Sequence, residues 1–222
     1  QALDGAGDVN GDGYADLVVG AHLTDLPASD SGSAFLFSGG SGQLDPSATW
    51  AIAGTQDDSN LGYSVAGAGD LNGDGFADLA IGQPGGSERV KIFFGPLTLA
   101  DTNPDQGLQT GLGDIDFGTS VAGAGDVNGD GFADLIGGAP FFSDAFEGEG
   151  IVLLYTGAGG VPSINGAQVI QGSQQAEQLG AALAGGVDIN GDGLDDVVVG
   201  GPGHQDGGVA VGGIALFTGG LE

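Results

Sequence analysis

The feature that most constrains this chain is an Asp- and Gly-rich stretch that occurs four times. Residues 69–82 read GDLNGDGFADLAIG, and close variants begin at Asp8, Asp126 and Asp188. The leading Asp residues, at positions 8, 70, 126 and 188, are therefore 62, 56 and 62 residues apart. A period near 60 residues indicates an array of similar structural units. We treat residues 1–222 as a single array with units of approximately 1–60, 61–116, 117–178 and 179–222.

Each unit contains four short apolar segments, which we label A to D in chain order. They are rich in β-branched or aromatic residues and are bounded by Gly, Asp, Asn or Pro, a pattern typical of β-strands. Segment C closes on an aromatic residue in every unit, namely Phe37, Phe94, Tyr155 and Phe217. Four strands in a unit of this length indicate a propeller blade. The sequence therefore predicts an all-β propeller of about four blades, each with four antiparallel strands.

The last blade is expected to be incomplete. Segment D is the weakest of the four, at residues 48–53, 107–110 and 167–170, and the fourth unit has no obvious source for it. The chain is then part of a larger propeller, is completed by oligomerisation, or closes as four blades with a degenerate last one. It begins with Gln1 and shows no signal peptide, which suggests a mature chain or an excerpt. In segment D of the first unit, Trp50 is expected to pack at a blade edge or between blades.

The charge of the chain narrows the range of partners. The 30 acidic residues and two basic residues give a net charge of −28. Nucleic acids and anionic membrane surfaces would repel such a chain. Membrane insertion is not expected either, since no apolar run reaches the roughly 18 residues that span a bilayer. The chain contains no Cys, which excludes a disulfide framework and thiol chemistry.

The repeated loop has the composition of a calcium site. Counting from the leading Asp, positions 1, 3, 5 and 9 carry oxygen-bearing side chains, and position 7 can offer its backbone carbonyl. Oxygen ligands with three carboxylates favour Ca²⁺, which takes about 6–8 oxygen atoms in a flexible arrangement. The predicted ligands, for about four Ca²⁺ ions per chain, are Asp8, Asn10, Asp12, Tyr14 and Asp16; Asp70, Asn72, Asp74, Phe76 and Asp78; Asp126, Asn128, Asp130, Phe132 and Asp134; and Asp188, Asn190, Asp192, Leu194 and Asp196.

Two other kinds of loop share part of this sequence pattern. An EF-hand begins with the same letters but needs a bidentate Glu at position 12 and a helix on each side. Position 12 is Val19, Ile81, Gly137 or Val199, and the flanks resemble strands. The other alternative is an ordinary Asp-Gly hairpin turn without metal. Four loops with the same ligand positions argue against that alternative, because three clustered carboxylates repel one another.

The unit resembles the FG-GAP repeat of integrin alpha-subunit propellers and their bacterial relatives. The "FG" part corresponds to Leu61-Gly62, Phe117-Gly118 and Leu179-Gly180. The "GAP" part corresponds to Gly20-Ala21-His22, Gly82-Gln83-Pro84, Gly138-Ala139-Pro140 and Gly201-Pro202. The resemblance covers nearly the whole chain and implies Ca²⁺ in the A–B hairpin of each unit, with a mainly structural role.

The chain departs from the family pattern in two respects. Only Phe117 is a true Phe at the "FG" position, and the first unit lacks that segment. Integrin propellers have seven blades, whereas this chain has fewer than four complete ones.

The loops between segments B and C are the candidate partner surface, because they vary between units while the A–B loops barely differ. The third B–C loop carries Phe141, Phe142 and Phe146 beside acidic residues, and the first and fourth carry His22 and His204. The two histidines have Asp25 and Asp206 nearby in sequence, but no nucleophile with a triad-like setting accompanies them. We therefore predict no catalytic residue and regard these five side chains as possible partner contacts.

The sequence favours a calcium-binding, extracellular or cell-surface propeller module for adhesion, recognition or surface assembly. The expected partners are a protein or glycan ligand, or other copies of the chain joined through the incomplete blade. One alternative is the non-catalytic propeller part of a larger extracellular hydrolase. Another is a self-assembling structural protein.

Overall fold

The computed structural model describes residues 2–25, 27–113, 115–159 and 168–220. Within these ranges every regular element is a β-strand, and no helix is long and apolar enough to cross a membrane. The strands are β1 (Ala2–Gly7), β2 (Asp16–Ala21), β3 (Ser33–Phe37), β4 (Trp50–Ala53), β5 (Val65–Gly69), β6 (Asp78–Gly82), β7 (Val90–Phe93), β8 (Gln106–Leu108), β9 (Ser120–Gly125), β10 (Asp134–Ala139), β11 (Ile151–Tyr155), β12 (Gln168–Gln171), β13 (Ala182–Val187), β14 (Asp196–Gly201), β15 (Gln205–Asp206), β16 (Val209–Ala210) and β17 (Gly213–Phe217).

The strands form one antiparallel sheet per unit. Three sheets have four strands in sequential order, β1-β2-β3-β4, β5-β6-β7-β8 and β9-β10-β11-β12. The fourth has three, in the order β13-β14-β17, and β15 and β16 form a separate small hairpin between β14 and β17. This architecture confirms the predicted all-β propeller fold with an incomplete last blade. Ala167, the first residue of the predicted D segment in the third unit, lies outside the described residues.

The strand register corrects one detail of the repeat alignment. Leu17 pairs with Phe37 and Leu135 pairs with Tyr155, and the equivalent residue of the second unit, Leu79, pairs with Phe93. Phe93 therefore occupies the place that the sequence alignment gave to Phe94. Because successive strand residues point to opposite faces, this shift of one residue exchanges the faces of the two rings. Phe93 is buried between units 1 and 2, and Phe94 packs against the core between units 2 and 3.

The hydrophobic core lies between the units. We call the face that a unit turns toward the next unit its trailing face, exemplified by Val9, Ala34 and Leu36 in unit 1. The face turned toward the preceding unit is its leading face, exemplified by Val65 and Leu79 in unit 2. These five residues belong to one buried cluster, and equivalent clusters join units 2 to 3 and 3 to 4. Each sheet is thus buried mainly by its neighbours.

Trp50 contributes to the first of these interfaces, as predicted. Its side chain is buried and meets the Phe93 ring edge-on, with the ring centroids 5.0 Å apart. Its indole N–H donates to the Asp101 carbonyl oxygen over 2.7 Å, which satisfies the polar end of the side chain.

Units 1 and 4 are not packed against each other. Leu3 on β1 is 73% exposed and Ile214 on β17 is 83% exposed, so the first and last sheets both leave a face open. The four A strands, β1, β5, β9 and β13, line a common cleft. The described residues therefore form an open arc of units, and the four-blade closure considered from the sequence does not occur.

Candidate metal centres

The predicted calcium loops connect strands A and B of each unit, at residues 8–16, 70–78, 126–134 and 188–196. Each follows a β-bulge or irregularity in the A–B pairing, close to Gly7, Gly69, Gly125 and Gly186. These glycines have φ between 72° and 75°, a conformation that other residues rarely adopt. In units 1 to 3 this glycine directly precedes the leading Asp, whereas in unit 4 Val187 stands there and the positive φ falls one residue earlier, at Gly186.

The Asp at position 1 organises the loop backbone. In the first loop, Asp8 Oδ1 accepts the N–H groups of Gly11 and Asp12 over 2.8 and 3.0 Å. Asp8 Oδ2 accepts the N–H of Gly13 over 2.8 Å. The leading Asp residues of the other three loops make the same three bonds. The shared sequence thus produces one shared loop conformation.

Positions 3 and 5 extend this pattern. Asn72 Oδ1 accepts the N–H of Asp74, and Asp74 Oδ1 accepts the N–H of Phe76. The Asn72 amide also donates to Asp74 Oδ2 over 2.9 Å, as its equivalents do in the third and fourth loops. The first loop differs, because the Asn10 amide donates to Ser38 Oγ instead.

The Asp at position 9 is buried in every loop and ties it to the turn after strand C. Asp78 Oδ2 accepts the N–H of Leu71 over 2.8 Å, and Oδ1 accepts the N–H of Gly95 over 3.0 Å. The same pair of bonds recurs at Asp16, Asp134 and Asp196. The residues that donate these two N–H groups, at loop position 2 and in the turn after strand C, were not identified from the sequence. A Gly nevertheless occupies the position after strand C in every unit.

Burial raises the pKa of the Asp16, Asp78 and Asp134 carboxyl groups. For Asp78 the pKa rises to about 7, because desolvation outweighs the hydrogen bonds from Gly95 and Leu71, and the nearby Asp74 and Asp70 charges add to the rise. For Asp134 the same combination raises the pKa to about 6. The pKa of Asp16 is also raised, chiefly by burial. The negative charges within a loop therefore act on one another.

Position 7 has a packing role that sequence analysis did not identify. A Cβ atom added to Gly11 would lie 2.5 Å from Cε1 of Phe76, and one added to Gly73 would lie 2.4 Å from Cε1 of Phe132. At Gly129, the equivalent contact is with Leu194 Cδ2, at 2.9 Å. Phe76, Phe132 and Leu194 thus each rest on the loop of the preceding unit, so the four loops form a continuous row.

The loop side chains offer the oxygen atoms of a calcium site but do not form a closed cage. Within the described ranges, no three Asp, Glu or His side chains are grouped closely enough to hold a metal ion. The two basic residues lie outside the loops: Lys91 pairs with Glu88 at 3.7 Å, and the Arg89 guanidinium donates to the Pro84 carbonyl oxygen. The donor set is nevertheless one that suits Ca²⁺, since it supplies carboxylate and amide oxygens without Cys or His.

The structure separates the three candidate aromatic residues of the third B–C loop. Phe141 and Phe146 are exposed, whereas Phe142 packs against the core between units 2 and 3. The loop is organised by Glu149, whose fully buried carboxylate accepts the N–H groups of three consecutive residues, Asp144, Ala145 and Phe146. Sequence analysis did not identify this role of Glu149.

The two candidate histidines have different surroundings. His22 stacks at a tilt on Tyr63, with the ring centroids 4.8 Å apart, and burial lowers its pKa. His204 Nδ1 lies 2.9 Å from Glu177 Oε1, so its carboxylate partner is not the neighbouring Asp206. The five candidate contact residues thus lie on three different units: His22 on unit 1, the three Phe residues on unit 3 and His204 on unit 4.

Comparison with known sequences identifies the family. A sequence model described as "FG-GAP repeat" matches residues 3–37, 61–95 and 117–161, which lie in three successive units. The chain belongs to the FG-GAP repeat family. In FG-GAP terms, the buried Leu61, Phe117 and Leu179 are the "FG" positions, each packed in the core next to the preceding unit. The following Gly also joins units, since Gly118 O accepts the Ser64 hydroxyl over 2.8 Å.

Several integrin alpha subunits are related to this FG-GAP chain. Mouse integrin alpha-7 is 35% identical over 158 residues, which are 67% of this chain. Mouse integrin alpha-IIb is 39% identical over 60% of the chain, and integrin alpha-PS2 of Drosophila melanogaster is 35% identical over 75% of it. The matched region spans only 12–14% of the length of these three relatives.

Proposed function

We propose that this chain is a calcium-stabilised FG-GAP propeller module that takes part in adhesion or recognition outside the cell. The observation that carries the proposal is the repeated A–B loop, in which three carboxylates and one Asn amide are held together without a basic side chain. Four copies of that arrangement need a source of positive charge. A divalent cation in each loop would supply it.

The hydrogen bonds of each loop leave room for a cation. A carboxylate has about four lone-pair sites on its two oxygens, and Asp70 uses three of them for N–H groups. Asp74 and Asp78 use two each, so both retain acceptor capacity. We assign the side chains at positions 1, 3, 5 and 9 and the carbonyl at position 7 as the Ca²⁺ ligands.

Calcium would have a structural role in this proposal. Because the loops form a row along one end of the units, an ion in each loop would brace both its own hairpin and the next contact in the row. An ion that binds only the folded state stabilises that state. For Ca²⁺ at a concentration of 100 times its Kd, the free energy of unfolding rises by about 2.7 kcal/mol per site.

Partner binding is assigned to the opposite end of the units. The third B–C loop carries the exposed Phe141 and Phe146, and buried Glu149 holds the backbone of residues 144–146. Rigidly held aromatic side chains are common anchors in protein interfaces. The relatives are named integrin alpha subunits, which supports a protein ligand and an extracellular or cell-surface location. The proposal assigns no catalytic residue.

Calcium binding is tested by native mass spectrometry and by isothermal titration calorimetry of chelator-treated protein. We expect about four Ca²⁺ ions per chain, and one fewer in Asp74→Ala. The matched control is Asp105→Ala, which removes an acidic residue of the same unit outside the loop. A wild-type chain that binds no Ca²⁺ would refute the metal assignment, and an Asp74→Ala chain that keeps all its ions would refute this ligand set.

Adhesion is tested separately with arrays of extracellular-matrix proteins and glycans. We expect a ligand whose binding is weakened by Phe141→Ala or Phe146→Ala but is unaffected by Leu99→Ala, an exposed apolar control in another loop. Binding that is insensitive to both Phe substitutions would contradict the assigned contact surface.

A further inference from the structure

The first A–B loop holds its Asn side chain differently from the other three, which we number 2 to 4 in chain order. In loops 2 to 4 the Asn amide at position 3 donates to Oδ2 of the Asp at position 5, over 2.8–2.9 Å. In loop 1 the Asn10 amide donates to Ser38 Oγ over 2.9 Å. Asp12, at position 5 of loop 1, accepts the N–H of Tyr14 on Oδ1, and no described residue donates to its Oδ2. Loop 1 therefore keeps open a carboxylate oxygen that the other loops use internally.

A relay of two hydroxyl groups fixes this orientation of Asn10. Ser38 Oγ and Thr49 Oγ1 lie 2.8 Å apart, and Thr49 Oγ1 donates to the Leu36 carbonyl oxygen over 3.3 Å. A hydroxyl group has only one hydrogen to donate. Since Thr49 uses its hydrogen on Leu36, the hydrogen between the two hydroxyls comes from Ser38, whose oxygen then accepts from Asn10. The amide NH₂ of Asn10 is thus turned toward Ser38, and its Oδ1 lies in the loop, where it accepts the N–H of Asp12.

A hydroxyl at the position of Ser38 is not sufficient to produce this arrangement. Strand pairing makes Phe94, Thr156 and Thr218 the equivalents of Ser38, because each follows the residue that pairs with loop position 10. Phe94 has no hydroxyl. Units 3 and 4 do have one, yet their Asn amides still donate to the Asp at position 5.

The second hydroxyl, that of Thr49, distinguishes unit 1. The N–H of Thr49 donates to the carbonyl of Leu36, as the N–H of Asp105 donates to that of Ile92 in unit 2. The corresponding place in the sequence of unit 3 is Ala167, which has no hydroxyl. The described part of unit 4 has no fourth strand that could supply one. The relay is therefore specific to unit 1.

We propose that Ser38 and Thr49 are positioning residues that orient Asn10 for Ca²⁺ and make loop 1 the first of the four loops to bind an ion. This inference rests on the proposed calcium binding. The side chains at positions 1, 3, 5 and 9 are identical in all four loops, so they cannot by themselves make one loop bind more tightly. The difference comes from the two hydroxyl groups outside the loop.

The hydrogen bonds explain why loop 1 is better prepared for an ion. In loop 2, an ion on Asp74 competes with the Asn72 amide for the carboxylate, and the displaced NH₂ group loses its partner. In loop 1, Asp12 Oδ2 is open, and the NH₂ group of Asn10 keeps its bond to Ser38 when an ion binds. Groups already held in the binding orientation lose less on binding. Residues that orient a metal ligand in this way typically change metal affinity by about 10–100-fold when they are replaced.

The test is a Ca²⁺ titration of the chelator-treated chain, followed by calorimetry and by hydrogen exchange of each loop. We expect a site that binds at least about tenfold more tightly than the others, with protection appearing first at residues 8–16. Ser38→Ala should weaken this site by about 10–100-fold. Thr49→Val should weaken it in the same direction, because Ser38 loses the acceptor of its hydrogen. Ser38→Thr keeps the hydroxyl and should keep the tight site.

The matched control is Thr156→Ala, which removes the equivalent hydroxyl of unit 3, where the Asn128 amide bonds to Asp130 instead. This variant should leave the affinities and the order of filling unchanged. Thermal melts of each variant in chelator measure any effect on the fold itself. A purely structural role of Ser38 would lower the melting temperature of Ser38→Ala in chelator and leave loop 1 the first to be protected.

The outcomes separate this inference from the proposed calcium binding. If the ions bind but protection appears first in another loop, or if the tight site is unchanged in Ser38→Ala, the positioning role is wrong and calcium binding stands. A wild-type chain that binds no Ca²⁺ would overturn both.

Discussion

The backbone N–H of Ala77 donates to the carbonyl oxygen of Asp8 over 3.2 Å, which joins the second A–B loop to the first. Ala133 and Asp70 make the same bond between the next pair of units, over 2.9 Å. The loops are therefore linked along the array, and a change in one is expected to act on the next.

The packing between loops can be measured by comparing Gly73→Ala with Gly191→Ala. Both glycines occupy position 4 and have φ of 78° and 80°, so both substitutions introduce a similar backbone strain of about 1–2 kcal/mol. Only Gly73 faces a neighbour, since its added Cβ would lie 2.4 Å from Phe132. We expect Gly73→Ala to destabilise by about 1–3 kcal/mol more, measured by urea unfolding. Equal effects of the two substitutions would contradict the loop contact.

An Asp→Asn substitution is expected to affect stability differently at Asp78 and at Asp74, two residues of the second loop. In Asp78→Asn, the side-chain NH₂ replaces a buried oxygen that accepts a backbone N–H, so we expect a loss of about 1–3 kcal/mol even in chelator. Asp74→Asn alters an exposed side chain and should change stability little in chelator while weakening Ca²⁺ binding. Thermal melts with and without Ca²⁺ distinguish the two roles. If both variants were equally destabilised in chelator, the buried Asp78 and the exposed Asp74 would not have the different roles assigned to them.

Glu149 is expected to determine the order of the third B–C loop. Its carboxylate accepts three backbone N–H groups and the Gln171 amide, and Glu149→Gln replaces one acceptor oxygen with a donor. We expect a loss of about 1–3 kcal/mol and faster hydrogen exchange at residues 144–146. Glu147→Gln, at an exposed side chain of the same loop, is the control. If hydrogen exchange at residues 144–146 were unchanged in Glu149→Gln, Glu149 would not organise this loop.

Glu149 is also expected to affect how the stability of the protein changes at acid pH. Burial acts to raise the pKa of Glu149, but the hydrogen bonds from Gln171 and the backbone N–H groups outweigh it and lower the pKa. A lowered carboxyl pKa contributes stability above the unfolded value, about 4.3, and this contribution is lost as pH falls through the folded value. The stability difference between wild type and Glu149→Gln should therefore shrink below about pH 4. A difference that is constant from neutral to acid pH would contradict this assignment.

Much of the fold could be predicted from the sequence because it depends on local, repeated patterns. The period near 60, the strand segments and the loop composition were sufficient to predict the propeller, and the burial of Trp50 between blades was confirmed. The shift from Phe94 to Phe93 was missed because both residues are aromatic and only strand pairing shows which one faces the preceding unit.

The contacts between distant residues could not be predicted in the same way. Phe132 rests on Gly73 and His204 pairs with Glu177 because separate units meet at a particular angle, which no short sequence pattern encodes. Glu149 is an acidic residue in an acidic loop, so its burial was not evident from composition. The calcium ligands stay a prediction, since they rest on the repeated loop sequence and the oxygen donors it provides.

Placing the core between sheets has a consequence for how the protein unfolds. A unit removed from the array would lose most of its apolar contacts, so a single repeat is not expected to fold alone. Stability then accumulates interface by interface, as in a linear chain of coupled segments. Units 2 and 3 are each packed against a neighbour on both sides, so opening either of them breaks two interfaces at once. A lengthened array would gain one interface with each added unit and would be more cooperative.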